Sequence, residues 1–201
     1  MGHDFDRSRL AVGAGDLWEE ATRARFLDAV GDGTLPEEAF DRWLVQDYRF
    51  VSGLSRFVAL TVAKTPREAQ RVVIGGLAAL DEELEWFEDH AEERGLDLDA
   101  EPHPVCRRYV DYLIAAGYGE PMEVLLAILY GVEVAYTVGW GRLEAEGPYA
   151  EFIERWTHPD FQAYVAELRD LADAHRHPDQ QEHFDRVMEH ERAFWRMTWE
   201  G

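Results

Sequence analysis

The sequence predicts an all-α protein, a single-domain helical bundle of seven or eight helices over residues 1–201. Three observations support this fold class: helix start and stop signals recur along the chain, apolar residues repeat at spacings of three and four, and no stretch alternates with a period of two. No hairpin signal lies between β-branched runs, and no fixed-period repeat or Pro/Ser-rich linker marks a domain boundary.

Prolines and glycines divide the first half of the chain into helices. Thr34-Leu35-Pro36-Glu37 has the pattern of a capping box with an early proline, and Thr65-Pro66-Arg67-Glu68 is a second helix start. Pro104 begins another helix. The predicted helices in this half cover residues 17–30 (ending at Gly31-Asp32-Gly33), 37 to about 64, 67 to about 95, and 104–117.

The second half begins with the most apolar stretch of the chain. Pro121 starts a helix that we expect to run through residue 143 and to be closed by Gly147-Pro148. The remaining predicted helices are two short ones, at about 149–156 and 161–175, and a final one at about 180–199. Short connections between these elements are typical of a bundle.

The composition excludes several classes of partner. Twenty Lys and Arg against 41 Asp and Glu give a formal charge of −21, which opposes binding to nucleic acid or to an anionic membrane surface. The longest apolar run, residues 124–132, is about half of what a membrane span needs. One cysteine allows no intrachain disulfide, and the first thirty residues show no signal peptide, so we expect a cytoplasmic protein.

Three acids lie at positions where the helices should be apolar. Asp47 interrupts a stripe that runs from Phe40 to Val58, and Glu191 fills the gap in a stripe that runs from Phe184 to Thr198. Glu133 lies in a helix that is apolar on nearly every side, and such a helix is buried.

A buried carboxylate needs a partner or becomes protonated with a raised pKa. Each acid taken alone is explained as well by pairing with a buried arginine or a helix end. Three such acids in one chain, with few basic residues on the same stripes, favour a functional pocket inside the bundle.

Other candidate chemistry is weaker. Cys106 lies near a helix start but has no nearby histidine, so we expect a structural thiol. The histidines form no Glu-x-x-His pair, and no zinc spacing, Gly-rich phosphate loop or nucleophile elbow is present, so no metal and no cofactor are predicted.

The sequence resembles the TenA family of thiamin-salvage enzymes, which share a heme-oxygenase-like helical fold. Asp32-Gly33-Thr34-Leu35-Pro36, followed by Phe40, Leu44 and Gln46-Asp47-Tyr48, is similar to the second-helix signature of that family. Glu191 with Phe194-Trp195-Arg196-Met197 is similar to its C-terminal signature. The resemblance in length and helix order extends over essentially the whole chain.

The resemblance implies roles for particular positions. Asp47 matches the acid that holds the aminopyrimidine, Tyr109 and Tyr136 match pocket tyrosines, Glu191 matches the acid that manages protons, and Phe194 matches the aromatic against the ring. Aromatic walls from Phe50, Tyr109, Trp156 and Phe194 would stack on the ring.

The sequence also departs from the family pattern. The Pro-Cys pair that carries the nucleophile in the larger branch is Gly131-Val132 here, with Glu133 next. Phe50 and Trp156 stand where that branch has pocket tyrosines. The chain therefore resembles the cysteine-less branch, in which a glutamate is thought to replace the thiol.

The resulting hypothesis is a hydrolase that acts on an aminopyrimidine breakdown product of thiamin. The resemblance implies replacement of the aminomethyl amine by hydroxyl or removal of an N-formyl group, and it implies a homo-oligomer, commonly a tetramer. Glu191 is the expected acid–base group, with Glu133 as its assistant or substitute. The alternatives are a ligand-binding or regulatory protein without catalysis, and a metal-dependent oxygenase on the same fold, which the histidine positions oppose.

Overall fold

The computed structural model describes residues 4–201. Over this range the chain forms ten α-helices and two short 3-10 turns, with no strand, which confirms the all-α prediction. The helices are α1 Arg9–Ala14, α2 Asp16–Thr22, α3 Arg25–Gly31, α4 Glu37–Lys64, α5 Arg67–Arg94, α6 Pro104–Gly119, α7 Met122–Trp140, α8 Ala150–Thr157, α9 Pro159–Ala174 and α10 Gln180–Glu200.

The helix count exceeds the predicted seven or eight for two reasons. The first is α1, which the sequence analysis missed and whose N-cap hydroxyl, on Ser8, accepts from the backbone N–H of Ala11. The second is the segment 17–30, predicted as one helix, which breaks into α2 and α3 where Arg23 and Ala24 leave helical geometry. Trp18 of α2 and Phe26 of α3, on either side of the break, are both buried.

The capping box predicted at Thr34-Leu35-Pro36-Glu37 was wrong, and the helix start predicted at Thr65-Pro66-Arg67-Glu68 has no side-chain cap either. Pro36 and Pro66 are the N-caps of α4 and α5, in extended geometry and without a side-chain capping bond. The Thr34 hydroxyl instead donates to Asp32 Oδ1 at 2.5 Å. The Thr65 hydroxyl donates to the carbonyl of Thr61 at 2.7 Å and so belongs to the end of α4. Both helices begin directly after a proline, at the predicted residues 37 and 67.

The apolar helix α7 also ends before the predicted residue 143. The guanidinium of Arg142 donates to the backbone oxygen and the hydroxyl of Thr22 and to Asp6 Oδ1, which ties the chain to the N-terminal segment. In contrast, α5 ends as predicted at Gly95, which takes the left-handed conformation at φ 67°. A glycine in this conformation is a common C-terminal cap of a helix.

The helix α7 is the centre of the bundle. It packs against α2, α4, α8, α9 and α10, while α4 also packs against α5 and α6. Within residues 4–201, α7 is the one helix that is long and apolar enough to cross a membrane, but 89% of its apolar window is buried inside the protein. The carboxylate of Glu133, in the middle of α7, therefore lies in the interior.

A stability prediction follows from the crossing of α4 and α6. A Cβ added at Gly53 would lie 2.5 Å from Val110 Cγ1, whereas a Cβ added at the exposed Gly75 of α5 would meet nothing within 4 Å. We expect Gly53→Ala to lower the free energy of unfolding by about 1–3 kcal/mol through overpacking. Gly75→Ala, the matched control, should raise it by roughly 0.5–1 kcal/mol. Urea unfolding of both variants tests this, and equal effects would contradict it.

Candidate functional site

Three buried acids from three helices meet in the middle of the bundle. Asp47 of α4 and Glu191 of α10 are each 1% exposed, and Glu133 of α7 is 8% exposed. Burial and, to a smaller extent, the negative charge of Glu191 raise the pKa of both other acids, so the three acids lie within one electrostatic environment. The structure therefore brings together the residues that interrupted three separate apolar stripes.

Two of the acids are held by tyrosines and not by arginines. The Tyr136 hydroxyl donates to Asp47 Oδ1 at 2.6 Å, and the Tyr109 hydroxyl donates to Glu191 Oε1 at 2.6 Å. The second oxygens, Asp47 Oδ2 and Glu191 Oε2, are buried and have no hydrogen-bond partner among the described residues. Buried polar atoms are normally paired, so these two oxygens are the strongest structural sign of a ligand site.

Burial raises the pKa of all three acids above the ordinary value of a carboxyl group. It raises the pKa of Glu133 to about 8, with Glu83 and Glu191 adding to the effect. It also raises the pKa of Glu191 to about 8 against the opposing hydrogen bond from Tyr109. For Asp47, burial raises the pKa well above its ordinary value although the Tyr136 hydrogen bond lowers it. The two glutamates, with pKa values of about 8, can exchange protons near neutral pH.

The sequence analysis missed a fourth acid, Glu83 of α5. Burial raises the pKa of Glu83 to about 7, while the charge of Arg155 and a hydrogen bond from Trp156 lower it. Its position carried the same signal as the others, because Glu83 continues the stripe of Leu80 and Phe87 at spacings of three and four. The sequence analysis did not recognise that stripe because polar residues surround Glu83 in the sequence.

Two cavities adjoin these acids. The inner cavity, of about 20 Å³, is lined by Asp47, Phe50, Val51, Leu54, Leu80, Glu83, Val132, Glu133, Tyr136 and Trp156. The outer chamber, of about 460 Å³, shares four of those residues as a common wall, namely Leu80, Glu83, Glu133 and Trp156. Glu83 and Glu133 thus lie at the junction between the outer chamber and the interior.

The sequence-predicted residues fall into two layers. Asp47, Phe50, Glu133, Tyr136 and Trp156 line the inner cavity. The other three, Tyr109, Glu191 and Phe194, lie behind it: the ring centroid of Phe50 is 4.6 Å from that of Tyr109 and 5.9 Å from that of Phe194. The residues behind the cavity therefore pack against Phe50, one of the rings that line it.

Cys106 lies close to the site but has a structural environment. Its side chain is fully buried, and its thiol donates to the backbone oxygen of Gln46 at 3.4 Å. Burial and the charge of Asp47 raise the pKa of the thiol to about 12, which keeps it protonated and poorly nucleophilic. Among residues 4–201, no group of three or more His, Cys, Asp or Glu side chains is placed to hold a metal ion.

Comparison with known proteins places this geometry in a family. The family model described as TENA/THI-4/PQQC matches residues 14–201. A Glycine max protein named "Probable bifunctional TENA-E protein" is 28% identical over 202 residues, covering 90% of this chain and 88% of the relative.

Solved structures give the same result. A TenA homologue from Pyrococcus furiosus has a TM-score of 0.89 at 29% identity, covering 94% of this chain and 98% of the other. A protein described as a TenA family transcription regulator, from a Silicibacter species, has a TM-score of 0.89 at 27% identity, covering 96% and 95%. These likenesses confirm the predicted heme-oxygenase-like bundle.

The raised pKa values predict how stability depends on pH. Glu133 and Glu191 hold their protons up to about pH 8 in the folded chain but have an ordinary pKa of 4.5 when unfolded. Their contribution to stability is full below pH 4.5 and is lost as the pH rises toward 8. We expect urea unfolding to show a loss on the order of 3 kcal/mol or more from these groups between pH 5 and pH 8.

The matched variants isolate that contribution. Glu191→Gln cannot ionise, so its free energy of unfolding should fall less than that of the parent over the same pH range. Glu93→Gln, at an exposed position of α5, is the control and should follow the parent. Parallel pH profiles for all three proteins would show that Glu191 is not held neutral.

Proposed function

The chain belongs to the TENA/THI-4/PQQC family, and from this premise we propose that it is a thiamin-salvage hydrolase that acts on an aminopyrimidine breakdown product of thiamin. One observation carries the proposal: Asp47 and Glu191 each keep a buried oxygen without a partner inside an aromatic interior. The similarity to the Glycine max TENA-E protein supports the assignment to a thiamin-related activity.

In this proposal Asp47 recognises the pyrimidine. Its Oδ1 is occupied by the Tyr136 hydroxyl, so Oδ2 is left to accept a hydrogen bond from the exocyclic 4-amine of the ring. Phe50 and Trp156 line the same cavity and supply flat apolar surfaces for stacking. A buried acceptor that lacks its donor is costly, so the site favours ligands that carry an amine at that position.

Binding of the ring requires the inner cavity to open. Its volume of about 20 Å³ has room for about one water molecule. The side chains that separate the inner cavity from the outer chamber therefore have to move. We assign this movement to Trp156, which lines both spaces. Closure around the ring would then exclude bulk water and strengthen the electrostatic contacts.

Glu191 and Glu133 supply the proton transfers. In the reaction the C–N bond to the aminomethyl carbon breaks while the oxygen of water forms the new C–O bond. One ionised carboxylate takes the proton of that water, and one protonated carboxylic acid gives a proton to the leaving amine. The pKa values of about 8 for both glutamates suit such roles near neutral pH, and general acid–base catalysis of this kind contributes roughly 10²–10⁴-fold.

We assign different roles to the two glutamates because they occupy different positions. Glu133 faces both cavities, so it is placed to activate a water that enters from the outer chamber. Glu191 accepts a hydrogen bond from Tyr109 behind the inner cavity, and in this proposal it gives the proton to the leaving amine. Removal of an N-formyl group from the same amine would use the same pair of groups.

A second candidate function is binding or regulation without catalysis. It is favoured by Val132, which stands where the larger branch of the family has its cysteine, and by the Silicibacter relative described as a transcription regulator. The charge of −21 opposes direct contact of this chain with DNA. Turnover of aminopyrimidines separates the two candidates, because a binding protein would take up the ring and leave it intact.

Two amide substitutions should separate chemistry from binding. Glu191→Gln removes proton transfer, so kcat should fall by about 10²-fold or more with little change in Kd. Asp47→Asn presents an amide to the ring amine, so it should weaken binding of the aminopyrimidine by about tenfold or more. Chromatographic assay of the hydroxymethyl product and calorimetric titration measure the two effects.

The control for that pair is Cys106→Ser, which changes a buried thiol outside both cavities and should leave turnover within about threefold of the parent, since the protonated thiol takes no part. A loss of activity in this variant at unchanged stability would assign the chemistry to the thiol. If both amide variants turn over substrate as the parent does, the proposed roles are wrong.

A further inference from the structure

We propose that His190 is a positioning residue for Glu191, which acts by stacking on Tyr109 and so holding the Tyr109 hydroxyl on the Glu191 carboxyl group. The inference rests on the proposed function, in which Glu191 transfers a proton, but the three residues that carry it line neither cavity. The sequence did not single out His190, because it lies beside the apolar stripe of α10 and not within it.

The rings of His190 and Tyr109 form a parallel stack between α10 and α6. Their centroids are 4.7 Å apart and their planes differ by 6°. The ring of Phe50 also contacts Tyr109, at 4.6 Å between centroids, but it is tilted by 35°. Parallel stacking constrains the plane of a ring as well as its distance from its neighbour. His190 therefore sets the orientation of the ring whose hydroxyl reaches Glu191.

His190 and Glu191 are consecutive residues of α10 that contact two parts of one side chain. His190 covers the ring of Tyr109, and Glu191 Oε1 accepts from the hydroxyl of that ring at 2.6 Å. Because a phenol oxygen is rigidly attached to its ring, a displaced ring would lengthen this hydrogen bond. Glu191 has no second contact to compensate, since its Oε2 has no hydrogen-bond partner among the described residues.

His190 is itself held by a second tyrosine of α6. Its ring centroid is 5.0 Å from that of Tyr112, which lies one turn beyond Tyr109. The Tyr112 hydroxyl lies 3.0 Å from His183 Nδ1 and 3.2 Å from the His183 backbone oxygen, two turns before His190 on α10. The half-buried ring of His190 therefore cannot turn away from Tyr109 without losing its contact with Tyr112 as well.

The imidazole has to be neutral for this role. A protonated His190, next to Glu191 in the chain, would favour the ionised form of that carboxyl group. Burial and the charges of Arg108 and Arg186 lower the pKa of His190 to about 4, so its ring is neutral near pH 7. The titratable groups that share the electrostatic environment of Glu191 are Asp47, Glu133, Tyr109 and Tyr136.

The test compares His190→Ala, which removes the stack, with His190→Phe, which keeps a flat neutral ring. The hydrogen bond from Tyr109 lowers the pKa of Glu191. Without the stack this bond should weaken, so in His190→Ala the pKa of Glu191 should rise by roughly half a pH unit or more. Carbon-13 NMR of the side-chain carboxyl group measures that pKa, with the resonance assigned by its absence from Glu191→Gln. His190→Phe should keep the parent value, and so should the control His183→Ala, which removes a ring that contacts Tyr112.

A double-mutant cycle then shows whether His190 acts through Tyr109. With the aminopyrimidine as substrate, His190→Ala should lower kcat by about tenfold and leave KM within about threefold of the parent. His190→Phe should restore kcat to within about threefold of the parent value. In the Tyr109→Phe background, which lacks the hydroxyl, His190→Ala should have no further effect on kcat. Equal losses of kcat in both backgrounds would show that His190 only fills space, and would overturn the inference.

The outcomes separate this inference from the proposed function. If no pyrimidine is turned over by the parent, the hydrolase proposal fails, and the pKa of Glu191 still tests the positioning role on its own. An unchanged or lowered pKa in His190→Ala, or an equal rise in His183→Ala, overturns the inference and leaves the hydrolase proposal standing. If His190→Ala does not fold, His190→Leu, which fills the space without a flat ring, replaces it under the same criteria.

Discussion

The structure depends on one constraint, which is that a carboxylic acid inside an apolar bundle has to be hydrogen-bonded or neutral. Asp47 and Glu191 meet it through tyrosine hydroxyls at 2.6 Å. An arginine would hold each acid ionised and lower its pKa, whereas a neutral phenol supports the buried acid without fixing its charge. With tyrosine as the partner, the pKa of each acid stays above its ordinary value, and one oxygen of each acid is left free.

The central position of α7 brings Glu133 into the interior of the bundle, where a charged carboxylate is costly. Because α7 packs against helices on every side, Glu133 can reach solvent only through the cavities. Glu83 of α5 and Glu133 then connect a neutral interior to an acidic outer chamber. Negative charge thus increases from the ring-binding interior toward the surface. Such a gradient suits a site that binds an uncharged ring and releases an amine.

The sequence predicted the acids better than it predicted their partners. Gaps in apolar stripes located Asp47 and Glu191 because a helix repeats its faces at a fixed spacing. The partner of Tyr136 could not be found that way: its hydroxyl bonds Asp47, 89 residues away, although Glu133 lies one turn from it on the same helix. Only the crossing of α4 and α7 decides that pairing. The helix break at Arg23 could not be predicted for a similar reason. No local residue signal marks it, and we attribute it to the packing of Trp18 and Phe26.

The central claim is that the interior acids form an aminopyrimidine site, and a crystal structure with the bound 5-aminomethyl-4-aminopyrimidine tests it most directly. The account predicts the ring in an opened inner cavity beside Phe50, with its 4-amine within about 3.2 Å of Asp47 Oδ2. A ring bound elsewhere, with Asp47 Oδ2 still buried and unpartnered, would contradict it.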